Sequence, residues 1–406
     1  MFYNRYTLPN GLRIIHQSNQ SNVTYCGFAV NAGTRDEADN ELGLAHFVEH
    51  LIFKGTQKRR VWHILNRMEN VGGDLNAFTN KEETLIYSSF LNTHLERAVE
   101  LLVDIVFHST FPQQEIDKEV DVVLDEIQSY NDTPSDLIFD DFENMVFRDH
   151  PLGRYILGDE AVLSHIQSVD AQRYTSSFYQ PGNMVFFVLG GVDFKKVVSL
   201  LQKYFETIPN RLVTLNRKAP NAYIPLRQTK EQDTNQAHVM IGAPSYSMLN
   251  PKRIGLSLLN NVLGGPGMNS KLNLELRERK GYVYNVESNI LTFTDSGLFN
   301  VYFGTDFKNR DHCVELTLRE LAKMRNEKMS TIQLSRAKKQ LMGQLGVAED
   351  NNESRALGMG RAFLHLDDYK PLSRVYEEIE SLQPSCLLEV ANEVFAEDRL
   401  SILYYE

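Results

Sequence analysis

Three side chains in the stretch GLAHFVEHLIFKGT, residues 43–56, carry lone pairs that an apolar segment does not need: His46, Glu49 and His50. A helix turns about 100° per residue, so His46 and His50 project about 40° apart on one face, a turn from each other. Glu49 falls roughly 60° to the other side of His46, and the three share one arc. Two imidazoles set this way can grip one zinc ion, and the carboxylate beside them can take a proton from water at the metal without binding it. His-x-x-Glu-His is the inverted form of the zinc-peptidase signature. The same residues also fit a plainer role, a part-buried histidine pair with a surface glutamate. A third ligand separates the two readings, because a catalytic zinc takes three protein ligands and keeps one position open.

Candidates for that ligand lie in QEIDKEVDVVLDEIQSYN, residues 114–131. Ile116, Val120, Val123, Leu124 and Ile127 form its apolar stripe, while Asp117, Asp121 and Asp125 point away from it. Glu119 and Glu126 are seven apart, on nearly one line at the margin of the stripe. Such a pair suits one ligand and one supporting carboxylate. Edge residues of an ordinary amphipathic helix would look the same.

The elements that must position these residues repeat. Strand candidates flank LPNG and include VTYCGFAVNAG. The histidine segment, a second helix VWHILNRMENVG, extended chain in LNAFTNKEETLIYSSF, and two helices follow in order. The first half closes with the strand in YQPGNMVFFVLGGVD and the helix FKKVVSLLQKYFETI. A polar, proline-bearing stretch from Ile208 to Pro225 reads as a linker. After it come the strand AHVMIGAP, the helices PKRIGLSLLNNVLGG and KLNLELRERKG, the strands YVYNVESNI and GLFNVYFGT, and two more helices. The expectation is an α+β protein of two tandem, structurally similar domains, each a mainly antiparallel sheet covered by helices. Residues 1–208 form the metal-bearing domain, 209–225 the linker, and 226–406 a second repeat whose LSLLNNVLG has lost the polar residues of its counterpart.

A length of 406 residues suits two cores. A formal charge of −11 argues against a nucleic-acid binder. Cys26, Cys313 and Cys386 are scattered without ligand spacing, which predicts buried free thiols in a reducing compartment. Neither a signal peptide nor a membrane span is legible, so a cytoplasmic protein is expected.

GLAHFVEHLIFKGT, the following NVGGDLNAFTNKEET, the glutamate pair, HPLGRYILG and YQPGNMVFFVLGGVD together resemble the pitrilysin family of zinc metallopeptidases, especially the branch with the mitochondrial processing peptidase and short bacterial members. The resemblance implies one Zn²⁺ per chain held by His46, His50 and Glu126, with Glu49 as general base and Glu119 in support. It implies that Asn76, Ala77 and Phe78 form an edge strand on which a peptide lies as an added strand, and that Arg277 and Tyr284, in LRERKGYVYNV, contact substrate. Both chemistries are physically apt. An exposed edge offers unpaired backbone groups, and an arginine with a phenol suits a peptide carbonyl or an oxyanion. The implied function is zinc-dependent hydrolysis of extended peptides or presequences in a closed chamber. Such a chamber is lined by four repeats in the family, so two copies of this chain, a homodimer, are expected. The alternative is a non-catalytic peptide-binding or scaffold subunit of the same fold.

Overall fold

The computed structural model describes residues 3–205 and 207–406. It divides into two units. The first comprises residues through Ile127, Arg154–Arg217 and Glu349–Tyr369; the second comprises Gln128–Gly153, Lys218–Ala348 and Lys370–Glu406.

The sheet of the first unit contains β1 (Asn4–Thr7), β2 (Arg13–Ser18), β3 (Val23–Val30), β4 (Asp74–Thr79), β5 (Thr84–Leu91) and β6 (Met184–Gly190), in the spatial order β1-β2-β6-β3-β5-β4. Alternation along the strands builds two apolar faces. Cys26, Phe28, Val30, Ile86, Phe186 and Val188 face one core together with helices Leu44–Leu51 and Leu95–Phe107. Ile15, Ala29, Leu85, Val185, Phe187 and Leu189 face the other. Burial on both sides explains why β6, MVFFVLG, is a continuous apolar run.

The sheet of the second unit contains β7 (Arg227–Lys230), β8 (Ala237–Ser245), β9 (Val283–Thr292), β10 (Gly297–Thr305) and β11 (Ser401–Tyr405), ordered β7-β11-β8-β10-β9. The expected duplication holds pair by pair. β2 runs parallel to β6, as β7 does to β11. β3 is antiparallel to β6 and β5, as β8 is to β11 and β10. β4 and β9 are the corresponding edge strands. Helices match too: Leu44–Leu51 corresponds to Arg253–Gly264, and Gln113–Asn131 to Thr331–Ala348.

A cut into 1–208 and 226–406 does not describe this division, because two helices are exchanged between the halves of the chain. Helix Asn352–Leu366 lies on the outer face of the first sheet, where Ala356, Met359 and Phe363 join that core. Its Gly360 lets the backbone approach closely, since a Cβ there would stand 2.5 Å from the Phe187 ring. Arg13 donates to the terminal carbonyls of Phe363 and Leu364 at 3.2 Å each, and Tyr87 donates to Glu353 at 2.7 Å. Helix Pro134–Val146 belongs in the same way to the second unit, where Asp141 accepts from Tyr405 at 2.6 Å and pairs with Lys230. Buried polar contacts of this kind fix a helix to one sheet because each is costly to leave unmade. The segment 209–226 carries no regular secondary structure. Cys26 and Cys313 are buried as expected, whereas Cys386 is exposed: it sits on the outward side of helix Pro384–Val394, whose stripe of Leu387, Val390 and Ala391 faces the core. Among the described residues, no helix is long and apolar enough to cross a membrane.

Candidate metal centre

His46, Glu49 and His50 stand on helix Leu44–Leu51, whose start is unusual. Gly43 has φ +90°, and its Cα packs so closely on Gly158 that a Cβ would meet backbone at 2.8 Å. No side chain of the neighbouring residue caps the helix. Buried Glu37 does so from a distance, accepting from the N–H of Gly43 at 3.1 Å and of Ala45 at 2.8 Å. Burial pushes the Glu37 carboxyl up to about 8, opposed by those two backbone bonds and by Arg154. The beginning of the histidine helix is thereby pinned by these two hydrogen bonds and by close packing.

The rings of His46 and His50 have centroids 4.6 Å apart and planes inclined by 66°. Glu126 reaches them from helix Gln113–Asn131, with carboxylate oxygens 3.9 Å from His46 Nε2 and 3.6 Å from His50 Nε2. Among the described residues, one atom from each of these three side chains lies within 4.8 Å of the other two, a group able to hold a metal ion. Zinc–nitrogen and zinc–oxygen bonds near 2.0–2.2 Å bring tetrahedral ligands to about 3.4 Å from one another. The observed donors need only small side-chain shifts to meet that spacing.

The donor chemistry fits as well. His50 Nδ1 faces Glu119 Oε1 at 2.9 Å, which sets that nitrogen as an N–H donor and turns Nε2, the nitrogen that can bind a metal once deprotonated, toward Glu126. Burial, and then the neighbouring His50, lower the His46 pKa to about 4, so His46 keeps a free lone pair at neutral pH. Burial also lowers the His50 value, but the bond and charge of Glu119, with Glu126 and Glu49, outweigh it and the net shift is upward. Glu119 is itself buried, which raises its pKa, yet His50 and Lys54 more than offset this and hold it below the usual carboxylate value. Lys54 Nζ sits 2.6 Å from Glu119 Oε2.

Glu49 is not among the converging donors. Burial raises its pKa, and Thr79 Oγ1 donates to its Oε2 at 2.6 Å. Strand alternation explains that bond. Leu75 and Ala77 of β4 face the core that holds the histidine helix, so Thr79 faces it too, while Phe78 joins the opposite core. Asn76, Ala77 and Phe78 lie on β4, the edge of its sheet, paired on one side with β5. Arg277 and Tyr284 lie in the second unit. Arg277 lies in the last turn of the π-helical stretch Asn273–Glu278, and its guanidinium stands 5.7 Å from the ring centroid of Tyr284, which is 88% exposed on β9. Thr79, Lys54 and Glu37 are the contacts that reading the sequence missed. Thr79 is two positions beyond Ala77 on the same strand face and Lys54 is one turn beyond His50, so both were open to the same periodicity; Glu37 carried no such signal.

Comparison with known proteins identifies the family. Residues 13–160 match the family model described as insulinase, peptidase family M16, and residues 165–341 match that described as the peptidase M16 inactive domain. Over 395 residues the chain is 30% identical to an uncharacterized zinc protease of Bacillus subtilis, covering 97% of this chain and 96% of the relative. It is 32% identical over 383 residues to an uncharacterized zinc protease of Mycobacterium tuberculosis, covering 93% and 87% of the two chains. The chain therefore belongs to peptidase family M16, the pitrilysin family, as its motifs imply. A crystal structure of a protease from Helicobacter pylori matches with a TM-score of 0.92 at 22% identity, covering 100% of this chain and 99% of that one. A peptidase M16 inactive domain from Pseudomonas fluorescens matches with a TM-score of 0.92 at 17% identity, covering 100% and 98%. At those identities the two structures establish the shared fold.

Proposed function

We propose that the chain is a zinc-dependent endopeptidase that hydrolyses extended, unfolded peptides. The observation that carries this reading is the convergence of His46, His50 and Glu126 within 4.8 Å beside a half-buried, hydrogen-bonded Glu49. Relatives named as zinc proteases across nearly the whole chain support it. His46, His50 and Glu126 would hold one zinc ion, which when bound supplies Lewis acidity toward a carbonyl and toward water. Glu49 accepts the proton of the attacking water and passes it to the departing amine, since its raised pKa brings the carboxyl nearer to the working pH. Thr79 fixes the carboxylate for this transfer. The free edge of β4 pairs with the backbone of a peptide, which selects extended chain over sequence. Arg277 and Tyr284 contact the substrate from the second unit, and the working assembly is a homodimer.

The test is digestion of a peptide library by the parent protein, with and without chelator, and by Glu49→Gln. Cleavage by the parent, lost on chelation, together with a loss of at least about 100-fold in Glu49→Gln at full zinc content, is expected. Near-normal cleavage by Glu49→Gln would remove it as the base, and no cleavage by the zinc-loaded parent would favour the scaffold reading.

A further inference from the structure

Where the first unit brings its histidine and glutamate helices together around metal donors, the second unit leaves a cavity of about 240 Å³ between their counterparts, Arg253–Gly264 and Thr331–Ala348. Helix Pro384–Val394 closes a further side. The lining contains no pair of metal donors like His46 and His50. Leu259, Met324, Met329 and Leu387 supply the apolar part of its wall.

Two features set it apart from an ordinary packing gap. Asn261 and Ser270 are 6% and 2% exposed and line the cavity, yet Asn261 Nδ2 and Ser270 Oγ have no hydrogen-bond partner among the described residues. Buried donors in native structures are almost always paired, so these two call for an acceptor. They stand on the wall shared with the open groove of about 550 Å³ that includes Arg277. The second feature is charge. Lys271, Lys323, Lys328 and Arg336 line the cavity against one carboxylate, Glu327, in a chain of net charge −11. Lys323 and Lys271 already share Glu320, at 2.5 and 3.7 Å. Lys328 and Arg336 form no ion pair among the described residues and remain available to a ligand.

We propose that this cavity binds a small amphipathic carboxylate. A carboxylate is acceptor-only, so it can take the amide and hydroxyl donors while answering the cations, and its apolar body fills the Leu and Met lining. An alcohol meets the donors but not the charge, and an amine brings a cation to cations. The size is adequate, since a cavity of about 150 Å³ already admits a benzene ring. The duplicated fold has thus kept the cleft between the two helices and changed its chemistry from metal donors to an organic-anion pocket. This assignment stands independently of the peptidase reading, because it is tested by binding.

Isothermal titration of the full-length, zinc-loaded protein with octanoate, octanol and octylamine is the direct test. Octanoate should bind, octanol at least about tenfold more weakly, and octylamine not measurably. Lys328→Ala with Arg336→Ala, both on the surface, should weaken octanoate about tenfold or more and leave octanol unchanged, which a general loss of structure would not do. Ala337→Phe should block binding by filling the cavity, with the melting temperature confirming the fold. N-acetyl-leucine separates a peptide's carboxyl end from an acyl chain as the source of the group, and tight binding of either with the same charge dependence supports the site. Equal affinity for octanoate and octanol, or no binding of either carboxylate into the millimolar range, overturns it.

Discussion

Glu119→Gln isolates the support given to a metal ligand from the ligand itself. Glu119 touches His50 Nδ1 at 2.9 Å and Lys54 Nζ at 2.6 Å and is nearly fully buried. The amide keeps the shape and can still accept the imidazole N–H, so the tautomer that bares His50 Nε2 survives. The negative charge behind the imidazole is lost, and with it the added basicity of the ligand. The carboxamide must also turn its N–H₂ toward the Lys54 ammonium, donor against donor. Removing such an outer partner typically costs about 10- to 100-fold in metal affinity. That corresponds to roughly 1.4–2.7 kcal/mol. The Lys54 clash should place this variant in the upper part of the range, and adding Lys54→Met should recover part of the loss. The assay is competition between metal-free protein and a chromophoric chelator, with unfolding followed in parallel. A Glu119→Gln protein that binds zinc within about twofold of the parent would refute the reasoning, since the carboxylate would then add nothing through His50.

Asp104 tethers the loop that follows the histidine helix through Thr56 at 2.8 Å and through Arg59. Burial alone would raise its pKa, but His108, Arg59 and Thr56 hold it down at about 2. A depressed carboxyl stabilises the fold above its unfolded value and loses that contribution as pH falls toward the folded one. Asp104→Asn should therefore cost about 2 kcal/mol at pH 7, with roughly half of the gap gone at pH 3; a gap unchanged between the two pH values in urea unfolding would contradict this. Arg277→Ala and Tyr284→Phe should each lower turnover while zinc content by metal analysis stays at the parent level, and metal loss in either would tie them to the ligand set instead. Sedimentation should show a dimer, and mixing Glu49→Gln with Arg277→Ala chains should give more activity than either alone; a fully active monomer rules the assembly out.

Much of the centre was legible in the chain itself because helix and strand periodicity are local. The spacing of His46, Glu49 and His50 puts them on one arc whatever the rest of the fold does. The repeated order of strands and helices likewise announced two similar units, and the strand pairings follow that order. Local geometry fell silent where two positions are equivalent along a helix. Glu119 and Glu126 share one line, about 10 Å apart along the axis. Only the packing of Gln113–Asn131 against the histidine helix decides that Glu126 meets the Nε2 atoms while Glu119 meets Nδ1 of His50. The exchange of Pro134–Val146 and Asn352–Leu366 was equally hidden. Their apolar stripes suit either sheet, and the choice rests on Asp141 meeting Tyr405 and Lys230 and on Gly360 meeting Phe187, contacts between residues far apart in the chain. The same holds for Thr79, whose hydroxyl finds Glu49 only when β4 takes its place at the sheet edge. Periodicity fixes which way a side chain points from its own element; what it points at depends on how elements distant in sequence pack together.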